Sequence, residues 1–594
     1  MTTTPNKVTD GRSLISVPVE DGAEAFVEML NSNGVDYLFV NTGTDVFPIM
    51  EALARMMEQE RTTPKIVLCI DESTAMFAAH GYYQLTGKAQ AVLVHVDAGT
   101  INIGGAYHDA QRDRAAIIVC AGRAPETFGN VAPGGRDMNI HWIQEQRDQA
   151  GIVRTFTKWD YEVRKNESLN WVVQKAFQTA TAEPSGPVYI TLPREQLLER
   201  MEELQVPPVG RHGKPVSPAA DPESLATLAD WLVTAERPLI IVGSSGRYPG
   251  TVAPLVELAE AVGAPVSGAI GTRMNFPTHH PLNAATTGGP SVKEADVVLV
   301  IDHDNPWIPD QETLEPSARV AWIDIDPTKD TIPLWTYPAD LLIHASSLKA
   351  IPALRDAVRQ RLTAADKTRI AKRTEGYAAA SAKERKRLKA RALAVKDDKP
   401  IHPLWIAYCL EQVLEQDAIV MNEGMSGGWP WIAMTDRTQP GTVFTSGGSS
   451  LGWGLGAAIG AKLASPDKDV IALEGDGSFV FARPTSAFWA AEKYHAPFLT
   501  IIYNNSRHQA TVNSWNKHIP DNVARAKNNY VGTDIDPSPD YAVLVQATRG
   551  YGETVEDPAD VLPAIKRGLE RIRAGQAAVI DIRIAQMDGR QATS

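Results

Sequence analysis

Short apolar runs alternate with helical patterns along the whole chain, and this feature most limits the folds it can adopt. Such alternation is typical of domains in which helices cover both faces of a parallel β-sheet. At 594 residues the chain is also too long for one hydrophobic core. We therefore predict an α/β protein made of three doubly wound parallel-sheet domains.

Each predicted domain has its own set of apolar runs, and the first and third sets have a similar length and rhythm. Proline-rich and highly charged segments separate the sets. The predicted strands are 37–40, 65–70, 91–94, 116–120 and 188–192, then 239–242, 297–301 and 320–324, then 418–421, 470–473, 498–503 and 578–582. The predicted divisions are a flexible N-terminus at 1–13, a first domain at 14–200, a linker at 201–219, a central domain at 220–360, a charged helix and linker at 361–400, a third domain at 401–586 and a tail at 587–594.

Charge, apolar stretches and cysteine usage each bear on the class of protein and its partners. The formal net charge is −13, so no excess of lysine and arginine is available to neutralise the phosphates of a nucleic acid. No uninterrupted apolar stretch reaches the roughly 18 residues of a membrane span, and the first residues lack the apolar core of a signal peptide. The three cysteines form no CxxC pair, which favours a reducing compartment. We expect a cytoplasmic protein with no nucleic-acid or membrane partner.

A glycine-bounded acidic turn follows one strand of the third domain. Gly475-Asp476-Gly477 lies just after the run 470–473, and Asn504-Asn505 ends the next run. Neighbouring parallel strands end at the same edge of a sheet, where ligands of open α/β sheets bind. The glycines permit a tight turn and the close approach of a phosphate, while carboxylate and amide oxygens suit Mg²⁺. The sequence therefore predicts a site for Mg²⁺ and two phosphate groups at this edge.

The spacing of these two motifs resembles the thiamine-diphosphate signature of the family that includes acetolactate synthase, pyruvate decarboxylase and benzoylformate decarboxylase. The glycine-rich stretch 444–460 is similar to the family's segment beneath the cofactor, and Leu451 falls where the family has an apolar wedge. The resemblance implies thiamine diphosphate and Mg²⁺ as cofactors, with pyrimidine-binding, central and pyrophosphate-binding domains in that order. The metal ligands that it implies are Asp476, Asn505 and the backbone carbonyl of Arg507. The other cofactor-binding residues that it implies are Glu72, Asn422, Met425, Ser426, Ser449, Leu451, Gly475, Gly477 and Ser478.

Glu72 is the candidate for the acid that activates the cofactor. It begins a helix after the run 65–70, in a segment (71–82) that resembles the family's pyrimidine-side motif. In that family a glutamate bonds the pyrimidine N1′ and promotes removal of the thiazolium C2 proton, which requires a dry pocket. The same resemblance implies that this domain faces the pyrophosphate domain of another subunit. We therefore expect a homodimer at minimum and a homotetramer as the full assembly.

His95 distinguishes the branches of the family. It ends the run 91–94, at a place where benzoylformate decarboxylase has a catalytic histidine and acetolactate-synthase-like enzymes have a small residue. A histidine near neutrality can donate and accept protons during catalysis. Thr44 matches the decarboxylase's active-site serine, which orients the substrate carboxylate. Asp97 departs from the family, which has a small residue there, and predicts an altered preference for anionic substrates.

The predicted function is a thiamine-diphosphate-dependent 2-oxo acid decarboxylase that works through a C2 adduct and an enamine. The alternative is a carboligase or lyase of the acetolactate-synthase or 2-hydroxyacyl type, which acts on aldehydes or ketones through the same enamine; a non-catalytic protein of this fold is a remote alternative. The second histidine of benzoylformate decarboxylase has no clear counterpart in the stretch 302–310, where His303 is several residues early. The loop 242–250 is not a GxGxxG fingerprint, so neither FAD nor ADP is expected in the central domain.

Overall fold

The computed structural model describes residues 14–128, 131–208, 213–287, 290–587 and 593. The predicted flexible N-terminus at 1–13 lies outside the described residues, as does most of the predicted tail. The chain forms two compact units. We call Met1–Val216 together with Gly447–Ala464 the N-terminal unit, and Ser217–Ser446 together with Ser465–Ser594 the C-terminal unit.

The N-terminal unit contains one six-stranded parallel sheet and one two-stranded antiparallel ribbon. Its strands are β1 (Ile15–Pro18), β2 (Tyr37–Val40), β3 (Lys65–Leu68), β4 (Gln90–Val94), β5 (Ile117–Arg123), β6 (Asp160–Glu162), β7 (Val188–Pro193) and β8 (Glu203–Val206). Its helices before residue 217 are α1 (Gly22–Ser32), α2 (Phe47–Glu58), α3 (Glu72–Thr86), α4 (Val96–Asn102), α5 (Gly104–Arg112), α6 (Ile140–Ile143), α7 (Leu169–Thr181) and α8 (Arg194–Leu198). The sheet has the order β3-β2-β4-β5-β7-β6, and β1 pairs with β8.

Two further parallel sheets follow along the chain. Their strands are β9 (Pro238–Val242), β10 (Val266–Ser267), β11 (Val297–Ile301), β12 (Arg319–Asp324) and β13 (Leu341–His344), then β14 (Ile419–Glu423), β15 (Val443–Phe444), β16 (Val470–Gly475), β17 (Leu499–Asn504), β18 (Tyr551–Val555) and β19 (Ala578–Arg583). The helices are α9 (Pro222–Thr234), α10 (Val252–Val262), α11 (Ala284–Thr287), α12 (Ser347–Arg361), α13 (Ala364–Ala394), α14 (Pro403–Glu411), α15 (Met425–Met434), α16 (Trp453–Ala464), α17 (Asp476–Phe481), α18 (Pro484–Lys493), α19 (Gln509–His518), α20 (Val523–Lys527), α21 (Tyr541–Gln546) and α22 (Val561–Arg573). The sheet orders are β10-β9-β11-β12-β13 and β15-β14-β16-β17-β19-β18.

The strand orders confirm the prediction of three doubly wound parallel sheets. Counted within its own sheet, the strand order of both the first and the third is 2-1-3-4-6-5, and that of the middle sheet is 2-1-3-4-5. In such sheets the order reverses between strands 1 and 3, and ligands bind outside the carboxyl ends of these two strands. The reversal lies between β2 and β4 in the first sheet and between β14 and β16 in the third.

The antiparallel ribbon of β1 and β8 was not predicted from the sequence. Residues 203–206 fall in a predicted linker, yet they pair in antiparallel register with Ile15–Pro18. Leu204 and Val206 are buried against the first core, so this segment belongs structurally to the N-terminal unit. Across the part of the chain that the structure describes, no helix is both long and apolar enough to cross a bilayer.

Helices α3 and α16 pack backbone against backbone, although they are far apart in sequence. A Cβ on Gly460 would lie 1.9 Å from the carbonyl oxygen of Ala78, and a Cβ on Gly81 would lie 2.2 Å from that of Ala457. Only glycine permits such an approach. This contact makes α16 part of the N-terminal unit, although the sequence analysis assigned its residues to the third domain.

Candidate active site

Glu72 begins α3 at the carboxyl edge of the first sheet. The Asp71 side chain caps this helix by accepting a hydrogen bond from the backbone N–H of Thr74 at 3.0 Å. The Glu72 carboxylate is buried and accepts two amide hydrogen bonds. Asn41 Nδ2 donates to Oε1 at 2.9 Å, and Asn102 Nδ2 donates to Oε2 at 2.8 Å. These two amides, which the sequence analysis missed, fix the orientation of the carboxylate.

His95 follows β4 and is bonded to a buried aspartate. Its Nδ1 is hydrogen-bonded to Asp45 Oδ1, and Asp45 Oδ2 accepts the backbone N–H of Val96 at 3.1 Å. The His95 side chain remains 25% exposed, whereas that of Asp45 is 1% exposed. The hydrogen bond that His95 donates to Asp45 raises the pKa of His95 above its usual value; partial burial opposes this rise, and the Asp45 charge, Gln144 and Asp97 add to it. The Asp45 carboxylate therefore favours the protonated form of the imidazole.

One loop and one helix connect Glu72 with His95. The loop after β2 supplies Asn41 to Glu72 and Asp45 to His95. Helix α4 has His95 as its N-cap residue and ends at Asn102, which bonds Glu72. The carboxylate and the imidazole are thus held relative to each other at the point where the strand order reverses. Thr44 lies exposed in the same loop.

Asp97 is a second carboxylate beside His95. It lies in the first turn of α4 and is 6% exposed. Gln146 Nε2 donates to Oδ2 at 3.0 Å, while Oδ1 is buried and has no hydrogen-bond partner among the described residues. The Asp97 carboxylate therefore places negative charge near the His95 imidazole.

Ser449 and Leu451 lie in the N-terminal unit. Ser449 Oγ is 3.4 Å from His108 Nε2 on α5, and Leu451 is half-buried. The neighbouring backbone N–H of Ser450 donates to the buried Asp109 at 3.0 Å. The other predicted cofactor residues beyond position 400 lie in the C-terminal unit.

Asp476 lies after β16, at the reversal point of the third sheet. It is 4% exposed, and its Oδ1 accepts the backbone N–H of Gly477 at 2.8 Å. Its Oδ2 is buried and has no hydrogen-bond partner in the described part of the chain. Burial raises the pKa of Asp476, whereas the backbone N–H groups of Gly477, Ser506 and Arg507 lower it. A buried carboxylate oxygen without a partner fits a cation ligand.

The two asparagines after β17 differ in their contacts. Asn504 Nδ2 donates to the buried Asp581 at 2.9 Å, so Asn504 stabilises the sheet edge. Asn505 Oδ1 accepts the backbone N–H of Arg507 at 3.0 Å, across Ser506 in the left-handed region at φ 53°. The Arg507 carbonyl accepts the N–H of Gln509 at 2.8 Å and has a second lone pair. Asp476, Asn505 and the Arg507 carbonyl are therefore suitable oxygen ligands for Mg²⁺.

The turn after β14 supplies the remaining predicted contacts to the diphosphate. Asn422 is buried, and its Oδ1 accepts the N–H of Gly424 at 3.1 Å. Met425 is 49% exposed, has φ 44°, and begins α15, with Ser426 next to it. The free N–H groups at a helix start suit an anion. Gly475 borders open space, since a Cβ there would meet only Ser478 Oγ at 3.6 Å.

A pair of glutamates beneath this edge was not predicted. Glu423 and Glu474 are directly opposite each other in the β14–β16 register, and both are buried. Burial raises the pKa of Glu474 well above its ordinary value, and the neighbouring Glu423 raises it further. Burial and the neighbouring Glu423 therefore both favour the protonated form of Glu474. The signal in the sequence was an acidic residue at the end of each of two adjacent buried strands.

Two other histidines noted in the sequence are held in the interior. His80 is fully buried in α3, with its Nε2 2.7 Å from Asp113. His303 follows β11 in the middle sheet, and burial lowers its pKa to about 4. His303 is consequently neutral under physiological conditions.

Three family models match this chain. Residues 20–152 match "Thiamine pyrophosphate enzyme, N-terminal TPP binding domain", residues 225–346 match the central domain, and residues 424–582 match the C-terminal TPP binding domain. These ranges correspond to the three parallel sheets in order. Among the described residues, no group of three or more His, Cys, Asp or Glu side chains is arranged to hold a metal.

Known proteins of similar sequence match nearly the whole length of this chain. A probable acetolactate synthase large subunit of Methanocaldococcus jannaschii is 26% identical, with 94% of this chain and 91% of that protein covered. A probable 2-ketoarginine decarboxylase of Pseudomonas aeruginosa is 25% identical, with 94% and 92% covered. The solved structure of the Rhodococcus jostii RHA1 thiamine diphosphate-dependent 4-hydroxybenzoylformate decarboxylase has the same fold, with a TM-score of 0.74 at 22% identity over 95% of this chain and 99% of that chain.

Proposed function

Since this chain belongs to the thiamine pyrophosphate enzyme family, we propose that it decarboxylates a 2-oxo acid with thiamine diphosphate and Mg²⁺ as cofactors. The observation that carries the proposal is the Asp45–His95 pair held at the same strand edge as Glu72. Decarboxylation leaves a carbon that must receive a proton, and His95, whose protonated form the buried Asp45 carboxylate favours, is the proposed donor for that transfer. The bound cofactor supplies the nucleophilic carbon and takes up the electron pair that CO₂ leaves behind.

Glu72 is the proposed partner of the pyrimidine ring. Its carboxylate holds a proton at ring nitrogen N1′, in a pocket from which most water is excluded. Asn41 and Asn102 keep both carboxylate oxygens in place. Thr44 is the proposed hydroxyl that orients the substrate carboxylate.

The diphosphate and the metal are assigned to the C-terminal unit. Asp476, Asn505 and the Arg507 carbonyl are the proposed Mg²⁺ ligands, and the unpartnered Oδ2 of Asp476 supports this assignment. The proposed contacts to the cofactor are Asn422, Met425, Ser426, Gly475, Gly477 and Ser478, together with Ser449 and Leu451 from the N-terminal unit. No nucleotide is proposed for the central domain.

Asp97 bears on the class of substrate. A buried carboxylate next to the site repels a second negative charge on the substrate. We therefore expect a 2-oxo acid whose far end is neutral or cationic, as in the 2-ketoarginine that names one relative. We also propose a cytoplasmic homodimer or homotetramer.

Carboligation is the second candidate, because one relative is named as an acetolactate synthase. The two reactions differ in what bonds to the carbon that has lost CO₂. In decarboxylation this carbon takes a proton, and in carboligation it bonds to a carbonyl compound. The pairing of His95 with Asp45, which favours the protonated imidazole, supports decarboxylation.

The test measures CO₂ release by the holoenzyme from benzoylformate, pyruvate, a branched 2-oxo acid and 2-ketoarginine, each with and without an acceptor aldehyde. We expect release that needs no acceptor, and a roughly 10²-fold or larger loss in His95→Gln. His344→Gln, an exposed histidine on β13, is the matched control and should keep full activity. Product formation only with the acceptor would favour carboligation.

A further inference from the structure

The loop after β2 contains a carboxylate that no sequence motif identified, Asp45. Its two oxygens have different partners: Oδ1 is bonded to His95 Nδ1, and Oδ2 accepts the Val96 N–H at 3.1 Å. Since Asp45 binds both His95 and the next backbone amide, the imidazole cannot rotate without breaking a buried contact. Val96 has φ 24°, an unusual conformation that this second hydrogen bond stabilises.

Two glycines make room for this pair. A Cβ on Gly122, at the end of β5, would lie 1.7 Å from Asp45 Oδ2. A Cβ on Gly43 would lie 1.9 Å from His95 Nδ1. Any side chain at either position would displace the carboxylate or the ring, so the backbone around the pair is shaped to admit it.

We propose that Asp45 is a positioning residue for His95: it holds the Nδ1–H, so that Nε2 is the nitrogen that exchanges a proton with the substrate. This inference rests on the proposed decarboxylation. As the C–C bond to the carboxylate breaks, CO₂ leaves without the bonding electron pair, and that pair forms the new C–H bond with the Nε2 proton. The imidazole becomes neutral with its Nδ1–H still on Asp45, and solvent returns a proton to Nε2.

Other titratable groups also act on this pair. Asp97 on α4 adds to the rise in the pKa of His95. His141 on α6 has its pKa lowered by burial, and Tyr189 on β7 has its pKa raised to about 12 by burial, so both shifts move the titrations of these groups away from that of His95. The proton donor is therefore controlled mainly by Asp45.

The first experiment is a pH–rate profile of the holoenzyme and of Asp45→Asn. Activity that needs a protonated His95 falls as the pH rises through its pKa. Without the carboxylate the pKa of His95 drops, so the alkaline limb should move to lower pH, and kcat should fall by roughly 10²-fold or more with KM little changed. Asp36→Asn is the matched control, because Asp36 bonds Tyr82 and Lys88 instead. An alkaline limb that stays in place in Asp45→Asn overturns the proposal.

The second experiment needs no turnover. The protein is labelled with ¹³Cε1-histidine, the His95 resonance is identified by its loss in His95→Gln, and its titration is followed by NMR. The wild-type resonance should titrate above the ordinary histidine value of about 6.5, and that of Asp45→Asn should titrate lower. A wild-type midpoint at or below that value contradicts the Asp45–His95 pairing even if Asp45→Asn fails to fold. Because no substrate is present, this outcome is independent of whether the enzyme is a decarboxylase.

Discussion

At the scale of single residues, the site depends on side chains whose partners are distant in sequence. Asn41 and Asn102 both bond Glu72, and Asp45 bonds a histidine 50 residues later. Glu72 and His95 are therefore each oriented by neighbours that belong to no motif. Glu72 and His95 lie at the reversal point of the first sheet, and Asp476 lies at the reversal point of the third.

Two substitutions separate activation of the cofactor from its retention. Glu72→Gln keeps the size of the side chain but cannot hold the same proton, so we expect thiamine diphosphate to bind while turnover falls by roughly 10²–10⁴-fold. Asp476→Ala removes a proposed metal ligand, so Mg²⁺-dependent binding should weaken at least as much as the roughly 10–100-fold that loss of a supporting residue costs a metal site. Calorimetric titration with thiamine diphosphate and Mg²⁺ measures binding in both variants. Equal binding losses in the two would contradict this division of roles.

The sequence predicted the residues that lie in local motifs. Glu72, His95 and Asp476 all follow strands that the sequence predicts, and the strand order brings such positions to sheet edges. Asp45 was not predicted because its role depends on a contact across the sheet edge. The pair of Glu423 and Glu474 was not predicted for the same reason. Each is an ordinary residue at the end of its strand, and only the pairing register of β14 with β16 shows that the two are neighbours.

At the scale of elements, the strands of the three sheets that the sequence did not predict are all edge strands. All twelve predicted strands are present in the three sheets, and each strand that those sheets add is at a sheet edge. These are β6, β10, β13, β15 and β18. Central strands of a parallel sheet are buried on both faces and form continuous apolar runs, whereas an edge strand is shorter and partly polar. In β6, for example, no side chain is fully buried.

The contact between α3 and α16 gives a prediction about stability. Gly460→Leu puts a side chain where even a Cβ would lie 1.9 Å from the Ala78 carbonyl, so we expect a loss of about 1–3 kcal/mol or more in the free energy of unfolding. Gly376→Ala is the opposite case. It lies on the exposed part of α13 with no atom within 4 Å of the added Cβ, and should gain about 0.4–1 kcal/mol. Thermal unfolding midpoints should move down in the first variant and up in the second; a fall in both would refute the packing argument.

At the scale of the whole molecule, the first and third sheets share one strand order and differ in chemistry. Both have the order 2-1-3-4-6-5, so both offer a ligand edge at the same topological position. The first edge has acid–base groups, and the third has a buried carboxylate with an unpartnered oxygen. The similar rhythm of their sequences predicted the likeness in fold. It did not predict the different roles, which depend on which side chains follow each strand.

The glycine contact of α3 with α16 also means that the N-terminal unit is not encoded by one continuous stretch of the gene. A product that stops at Val216 lacks Gly447–Ala464, and the glycine-lined side of α3 is left uncovered just below Glu72. If this protein is divided into separately expressed parts, or if its first domain is exchanged for that of a relative, α16 must therefore be kept with the first domain. Residues 447–464 and the first domain should accordingly change together over evolutionary time, as two parts of one folding unit.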